Sequence, residues 1–330
     1  MNLLKITLIT LAVGIASIQA ADAPTPTDGA PTLMVIVGAP GLPEYAPQFE
    51  ESAQQWRDVA QESGARLSVI GLTPNPTLTD REHLHQALNA EPKESLNELW
   101  ILLIGHGTYD GKEAKFNLNG PDVTAAECAE WLAPFQRTVV VVNCASSSAP
   151  FINKLTGPNR VIVTATKNGA EQNLTRFAKF FSEAIRDETA DLDKDGQVSL
   201  LEAYLTASAR VQEFYSSAGR LASEHALLED NGDSKGTPAD WFRGVRAVKK
   251  AQDNSTPDGF RAHQLHLIPS PMERRLTPTE RAHRDDLERQ VAKLRDSRDR
   301  QPEADYFREL EAILVQIASL YEESEKRPLP

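Results

Sequence analysis

Two residues in this chain could do nucleophilic chemistry together. His106 stands in Gly105-His-Gly107 just after the apolar run Leu-Trp-Ile-Leu-Leu-Ile at 99–104. Cys144 follows Thr-Val-Val-Val-Val-Asn at 138–143. A thiol attacks as its thiolate, and a neighbouring imidazole supplies first the base that forms it and then the cation that holds it. A second set of residues speaks of a cation. Residues 191–202 read Asp-Leu-Asp-Lys-Asp-Gly-Gln-Val-Ser-Leu-Leu-Glu, a run of hard oxygen donors at alternate positions.

The elements that must position the first pair are legible. Short, unalternating, β-branched runs are the pattern of strands buried on both faces of a parallel sheet. Between them Thr124-Ala-Ala-Glu127 forms a capping box, with Cys128, Trp131 and Leu132 following at helical spacing. Strand, helix and strand make a βαβ unit, so His106 and Cys144 arrive at one edge of the sheet. The carboxyl ends of such strands are where open α/β sheets hold ligands. Further strands are expected at 33–37, 66–72 and 161–165, and helices at 48–63 and 79–88, the latter capped by Thr79 with Glu82. Alternation at these intervals predicts a mostly parallel sheet covered on both sides, an α/β sandwich of three layers.

The cation motif is more specific. In residues 191–202 the carboxylates of Asp191, Asp193 and Asp195 fill loop positions one, three and five of an EF-hand, and Gly196 takes the sharp turn. Gln197 offers its carbonyl, Ser199 is the ninth ligand, and Glu202 is the bidentate twelfth. Helices are expected on both sides, at 175–186 and from the loop to about 214. Ca2+ is the expected ion. The turn-rich stretch 230–236 lacks a terminal Glu at the right distance and reads as an ordinary Asp/Asn/Gly loop, with a partial second cation site as its alternative.

Composition bounds the rest. A net charge of −12 over 330 residues disfavours nucleic acid and anionic membrane surfaces as partners. Residues 1–20 have a Lys5 n-region, an apolar stretch and a small-residue end, the pattern of a secretory signal too short to span a bilayer. The expectation is a bacterial periplasmic or secreted protein with no membrane contact after cleavage. The organisation that follows is a signal at 1–20, a flexible segment at 21–31, an α/β domain at 32–270 carrying the calcium loop, and a charged helical hairpin at 271–330. Leu287, Val291 and Leu294 mark one hairpin stripe, and Phe307, Leu310, Leu314, Ile317 and Leu320 the other, which could contact a protein partner. Export also permits a Cys128–Cys144 disulfide, although Cys128 lies where a core Leu would serve. Asn173 and Asn254 head short glycosylation patterns expected by chance. No Gly-x-Ser-x-Gly elbow accompanies Ser146, Ser147 and Ser148, no His/Cys/Glu set suggests zinc, and no phosphate loop is present.

The motifs Ile104-Gly-His106-Gly107 and Val142-Asn-Cys144-Ala-Ser146 resemble the His-Gly and Ala-Cys-x-Ser motifs of legumain-type cysteine peptidases, in the caspase–haemoglobinase superfamily. The likeness spans roughly residues 33–214. It implies a caspase-like α/β sandwich cleaving peptide or protein substrates, with Cys144 as nucleophile and His106 protonating the leaving amine. It also implies that the N–H groups of Gly107 and Cys144 hold the oxyanion. Asn143 stands where the family carries Ala, Ser146 and Ser147 where it carries Gly, and residues 40–48 contain no Arg. Glu171 is a candidate for the specificity pocket, with a surface helix cap as its more ordinary role. The alternative to a peptidase is a catalytically silent fold of this type acting as a calcium-dependent binding module.

Overall fold

Five of the apolar runs form parallel strands of one sheet, four of them buried throughout as their composition demands and the edge strand at 66–70 only half-buried. The computed structural model describes residues 30–249 and 256–327. The expected signal at 1–20, almost all of the flexible segment at 21–31, and Asn254 lie outside them. In chain order the main sheet takes β1 (Thr32–Val37), then α1 (Ala46–Ser63), β2 (Arg66–Ile70), α2 (Asp80–Ala90) and β3 (Leu99–Ile104). A small antiparallel sheet of β4 (Gly107–Tyr109), β5 (Ala114–Phe116) and β6 (Val123–Thr124) follows directly after His106. The sequence carries no sign of it, because strands of two or three residues have no measurable period.

Next come α3 (Ala125–Leu132), β7 (Val139–Asn143), α4 (Ile152–Leu155), β8 (Arg160–Thr164), α5 (Phe177–Ala184) and α6 (Leu200–Ser217). The chain then adds β9 (Leu227–Glu229), β10 (Thr237–Pro238), a two-strand ribbon β11 (Phe242–Arg243) with β12 (Arg246–Ala247), and α7 (Phe260–His263). The order across the main sheet is β10-β9-β8-β7-β3-β1-β2. β1, β2, β3, β7 and β8 are parallel, while β9 and β10 close one edge antiparallel.

Alternate residues of the buried strands face opposite layers. Val140 and Val142 join Trp56 of α1, Phe177 and Phe181 of α5, and Tyr204 of α6 in one core. Val139 and Val141 join Leu84 of α2, Cys128 of α3 and Leu155 of α4 in the other. The fold is therefore a three-layer α/β/α sandwich with a mostly parallel sheet, as the alternation predicts. Removing any large aliphatic side chain from either layer forfeits about 2–5 kcal/mol. The capping boxes at Thr79–Glu82 and Thr124–Glu127 both form and start α2 and α3.

Two C-terminal helices, α8 (Pro278–Asp296) and α9 (Glu303–Glu325), pack as the expected hairpin. A capping box of Thr277 with Glu280 begins α8. Leu287, Val291 and Leu294 are buried, but Phe307 is 50% and Leu314 47% exposed. Tyr306 takes the inward place instead, so the expected second stripe is only half used. The hairpin is fastened by buried Arg284, whose Nη1 donates to Glu273 Oε2 and the Tyr321 hydroxyl, each at 2.9 Å. Among the described residues no helix is long and apolar enough to cross a membrane.

Candidate functional site

Parallel pairing of β3 with β7 puts Leu103 opposite Asn143. His106 and Cys144 thus leave neighbouring strands at the same edge. Cys144 continues the phase of Val140 and Val142 and enters the core under α1, α5 and α6, where it is 2% exposed. Burial pushes its thiol well above the ordinary range, and the nearby Glu224 carboxylate pushes it further the same way. Its N–H donates to Leu103 O at 2.9 Å, and its carbonyl accepts the Thr175 hydroxyl.

His106 is half-buried beneath the loop that follows β1. Its Nε2 lies 3.1 Å from Pro40 O, and its ring meets Tyr45 and Phe49 edge-on at 5.4 and 5.5 Å between centroids. A carbonyl can only accept, so this contact assigns the proton to Nε2. Gly107 N–H donates to Ser146 Oγ at 3.1 Å, and the same hydroxyl donates to Gly107 O at 3.0 Å. Both amides expected to form an oxyanion hole are therefore engaged by the protein itself. Only glycine fits at 107, because a Cβ there would stand 2.4 Å from Ser146 O.

The serine loop is equally committed. Ser147 holds φ +51°, a left-handed conformation that glycine adopts most readily. Its hydroxyl donates to Gly169 O at 2.9 Å and its N–H to Glu171 O at 2.8 Å. Ser148 Oγ pairs with Thr166 Oγ1 at 3.1 Å. Spacing alone gave no sign that Ser146 would bridge to Gly107. Glu171 is not a helix cap: its carboxylate accepts Lys167 N–H at 2.9 Å and His225 N–H at 3.1 Å, with His225 Nδ1 at 2.6 Å. It latches the loop after β8 to the segment before β9. Cys128 and Cys144 are both free and belong to opposite core layers, so the disulfide that export would permit does not form, and Cys128 is the plain core residue its position suggests. Burial raises the Cys128 thiol to about 12, with Glu127 adding to it.

The loop at 191–202, where a calcium site is expected, is built differently. The side-chain oxygens of Asp191, Asp193 and Asp195 gather within 4.8 Å of one another, and Asp193 and Asp195 are exposed. Asp191 shapes the loop by accepting Lys194 N–H at 2.6 Å and Gly196 N–H at 3.1 Å. Lys194 and Gly196 both adopt positive φ there. Ser199 caps α6, and Glu202 closes the box through Oε2 while its Oε1 accepts Leu192 N–H at 2.7 Å. Gln197 uses its side-chain oxygen to accept Ser270 N–H at 3.0 Å, which leaves its carbonyl for the role expected of it. Burial first, then Asp193 and Glu202, raise the Asp195 carboxyl. His263 Nε2 sits 2.9 Å from Asp193 Oδ2. The incoming helix differs from expectation: α5 stops at Ala184, and a single 3-10 turn at Glu188–Ala190 delivers the chain to the loop.

Stretch 230–236 takes the ordinary reading. Asp230 accepts Gly259 N–H at 3.0 Å and Ala262 N–H at 2.9 Å, so its carboxylate anchors α7.

No family model matches this chain, and no curated protein matches it. Among solved structures it is similar to the Drosophila initiator caspase Dronc at 12% identity and TM-score 0.41, covering 62% of this chain and 81% of that one. It is similar to protein GSU0716 from Geobacter sulfurreducens at 10% identity and TM-score 0.41, covering 62% and 97%. Caspase-1 from Spodoptera frugiperda gives 12% identity and TM-score 0.40, covering 61% and 86%. Likeness at this level assigns no residue a role, and the site stands on its own geometry.

Proposed function

We infer that this is an exported, calcium-stabilised domain of the caspase–haemoglobinase type that binds proteins without hydrolysing them. The observation that carries this reading is the place of Cys144: its thiol lies in the apolar core, where burial disfavours the thiolate a nucleophile needs. The engaged Gly107 and Cys144 amides support it, since an oxyanion would find no free donor between them. Ca2+ would be held by Asp191, Asp193, Asp195, the Gln197 carbonyl, Ser199 and Glu202, a set of hard oxygen donors suited to that ion. Its part is to fix α6 against the core. The half-exposed Phe307 and Leu314 of α9 are the surface this reading gives to a protein partner.

A second reading, the cysteine endopeptidase, is favoured by one observation. His106 and Cys144 leave adjacent parallel strands at one edge, the arrangement a His–Cys dyad requires. The two are separated by treating the native protein, with calcium and with chelator, with peptidyl acyloxymethyl ketones varied at the P1 side chain. Mass spectrometry then locates any adduct. The binding reading expects none at Cys144 until the protein is unfolded. An adduct at native Cys144 that disappears in His106→Ala would establish the peptidase instead. Export is checked by fractionating cells that make the full chain and sequencing its N-terminus; protein found only in the cytoplasm with residue 1 intact would remove it.

A further inference from the structure

A cavity of about 380 Å3 opens at the carboxyl ends of β1 and β2, beside His106 but on the far side of β1 from Cys144. Its walls are apolar, formed by Val37, Phe49, Leu72 and Leu78. Its polar lining includes the carboxylates of Asp80 and Glu50, and no Lys, Arg or His. Asp80 is the buried member of the pair. It is 5% exposed, yet no cation pairs with it in the lining. Asp80 stands in the first turn of α2, where the helix N-terminus favours a carboxylate, but Thr79 and Glu82 already take the capping bonds and no full positive charge meets it in the lining. Its Oδ2 accepts the Asn119 amide at 3.2 Å, and that amide also reaches Gly71 O at 3.3 Å. Buried carboxylates are ordinarily paired.

We propose that this cavity binds an alkylammonium group, with Asp80 as its counter-charge and Phe49, Leu72 and Leu78 around its aliphatic stem. Asn119 already occupies one Asp80 oxygen, which removes the two-oxygen face that a guanidinium prefers. An ammonium is a compact charge with three donors and takes acceptors from separate groups. Here those are Asp80 and the Asn119 side-chain oxygen. Few small-molecule sites of this size carry more than a handful of polar groups, and apolar walls with convergent polar atoms are their usual form. The cation comes from a free amine or from a lysine side chain on a polypeptide. The site stands whether or not Cys144 turns over. Phe49 is a shared wall, since its ring also packs on His106 at 5.5 Å. An occupant is therefore sensed at the His106 ring.

The test is a 1H–15N NMR titration of the folded mature chain with n-pentylamine and with Nα-acetyl-lysine amide. The uncharged n-pentanol and Nα,Nε-diacetyl-lysine amide serve as controls. Saturable shifts are expected at Gly38, Gly71, the Asn119 side-chain amide and the His106 ring, with at least about tenfold weaker binding of the uncharged pair. Binding of both amines points to the ammonium alone, and binding of the lysine amide only points to a polypeptide source. Asp80→Asn is expected to lose about tenfold, the loss of one charge-assisted contact. Ala46→Phe, which fills the cavity and leaves Asp80 in place, is expected to abolish the shifts and covers the case of an unfolded Asp80 variant. Equal binding of the uncharged probes, shifts untouched in both variants, or no saturable shift up to about 50 mM would overturn the site.

Discussion

The two regions that promise chemistry in this molecule use their polar groups in opposite ways. At the strand edge, Gly107 N–H, Cys144 N–H and all three loop hydroxyls are satisfied inside the protein, and the thiol is turned into the core. In the loop of residues 191–202, backbone N–H groups bend the chain so that three carboxylates converge, and two of them face solvent. Asp193 and Asp195 stand at the surface, where their oxygens can take a further ligand beside the internal bonds they accept, whereas the strand edge keeps its thiol buried.

The largest expected effect tests how firmly the edge is closed. Ser146→Ala removes a buried hydroxyl that serves both Gly107 N–H and Gly107 O, so one change strands two backbone groups. A loss of about 3 kcal/mol is expected in urea unfolding, from one unsatisfied donor and one forfeited bond. A loss below about 1 kcal/mol would mean water replaces the hydroxyl and the edge is open. The calcium loop should respond to its ion by a similar amount. At a hundredfold excess over Kd, calcium is expected to raise stability by about 2.7 kcal/mol. Glu202→Gln keeps an acceptor for the Ser199 box but lacks the charge, and it should lose that increment. A melting curve identical with calcium and with chelator would erase the contrast between the regions.

Much of this arrangement was legible beforehand, and the part that was not has a physical cause. Unalternating β-branched runs identified β1, β3, β7 and β8, and capping boxes fixed the starts of α2 and α3, because both signals are local. The convergence of Asp191, Asp193 and Asp195 was legible for the same reason, since their spacing is local. Which way Cys144 turns is decided by strand phase at a strand end, where one residue of shift exchanges the two layers. The Ser146–Gly107 bridge and the Glu171–His225 latch join residues far apart in sequence and leave no local trace. The charged α8 and α9 showed their stripes, yet α9 turns Tyr306 inward and leaves Phe307 outside, a one-position rotation set by packing.

The thiol itself offers a smaller and sharper test. Cys144→Ser places a hydroxyl in an apolar layer and is expected to cost about 2 kcal/mol, whereas Cys144→Ala leaves nothing polar to bury and should cost less. Guanidinium unfolding of the two variants measures the difference. A serine variant as stable as the alanine one would place the side chain in a wet site and restore the peptidase reading.

A pH-dependent effect distinguishes carboxylates turned inward from those gathered together at the surface. Asp258 is buried against Asp230, and burial raises its carboxyl above the usual range. A raised folded value means the folded state holds the proton more tightly than the unfolded chain does. The stability this supplies is complete below about pH 4 and is lost as pH rises toward neutrality. The bonds from Asp230 N–H at 2.8 Å, Asn231 N–H at 3.2 Å and the Thr237 hydroxyl at 2.6 Å favour the ionised form and offset part of the burial, and the raised value is what remains after them. Asp258→Asn removes this titration, so its stability relative to the unchanged protein should rise with pH across that window. Urea unfolding at pH 4 and at pH 7 in chelator reads this contribution apart from the calcium loop. A relative stability that falls with pH would show that the hydrogen bonds, not burial, govern Asp258, and that this inward carboxylate is held ionised like those of a ligand site.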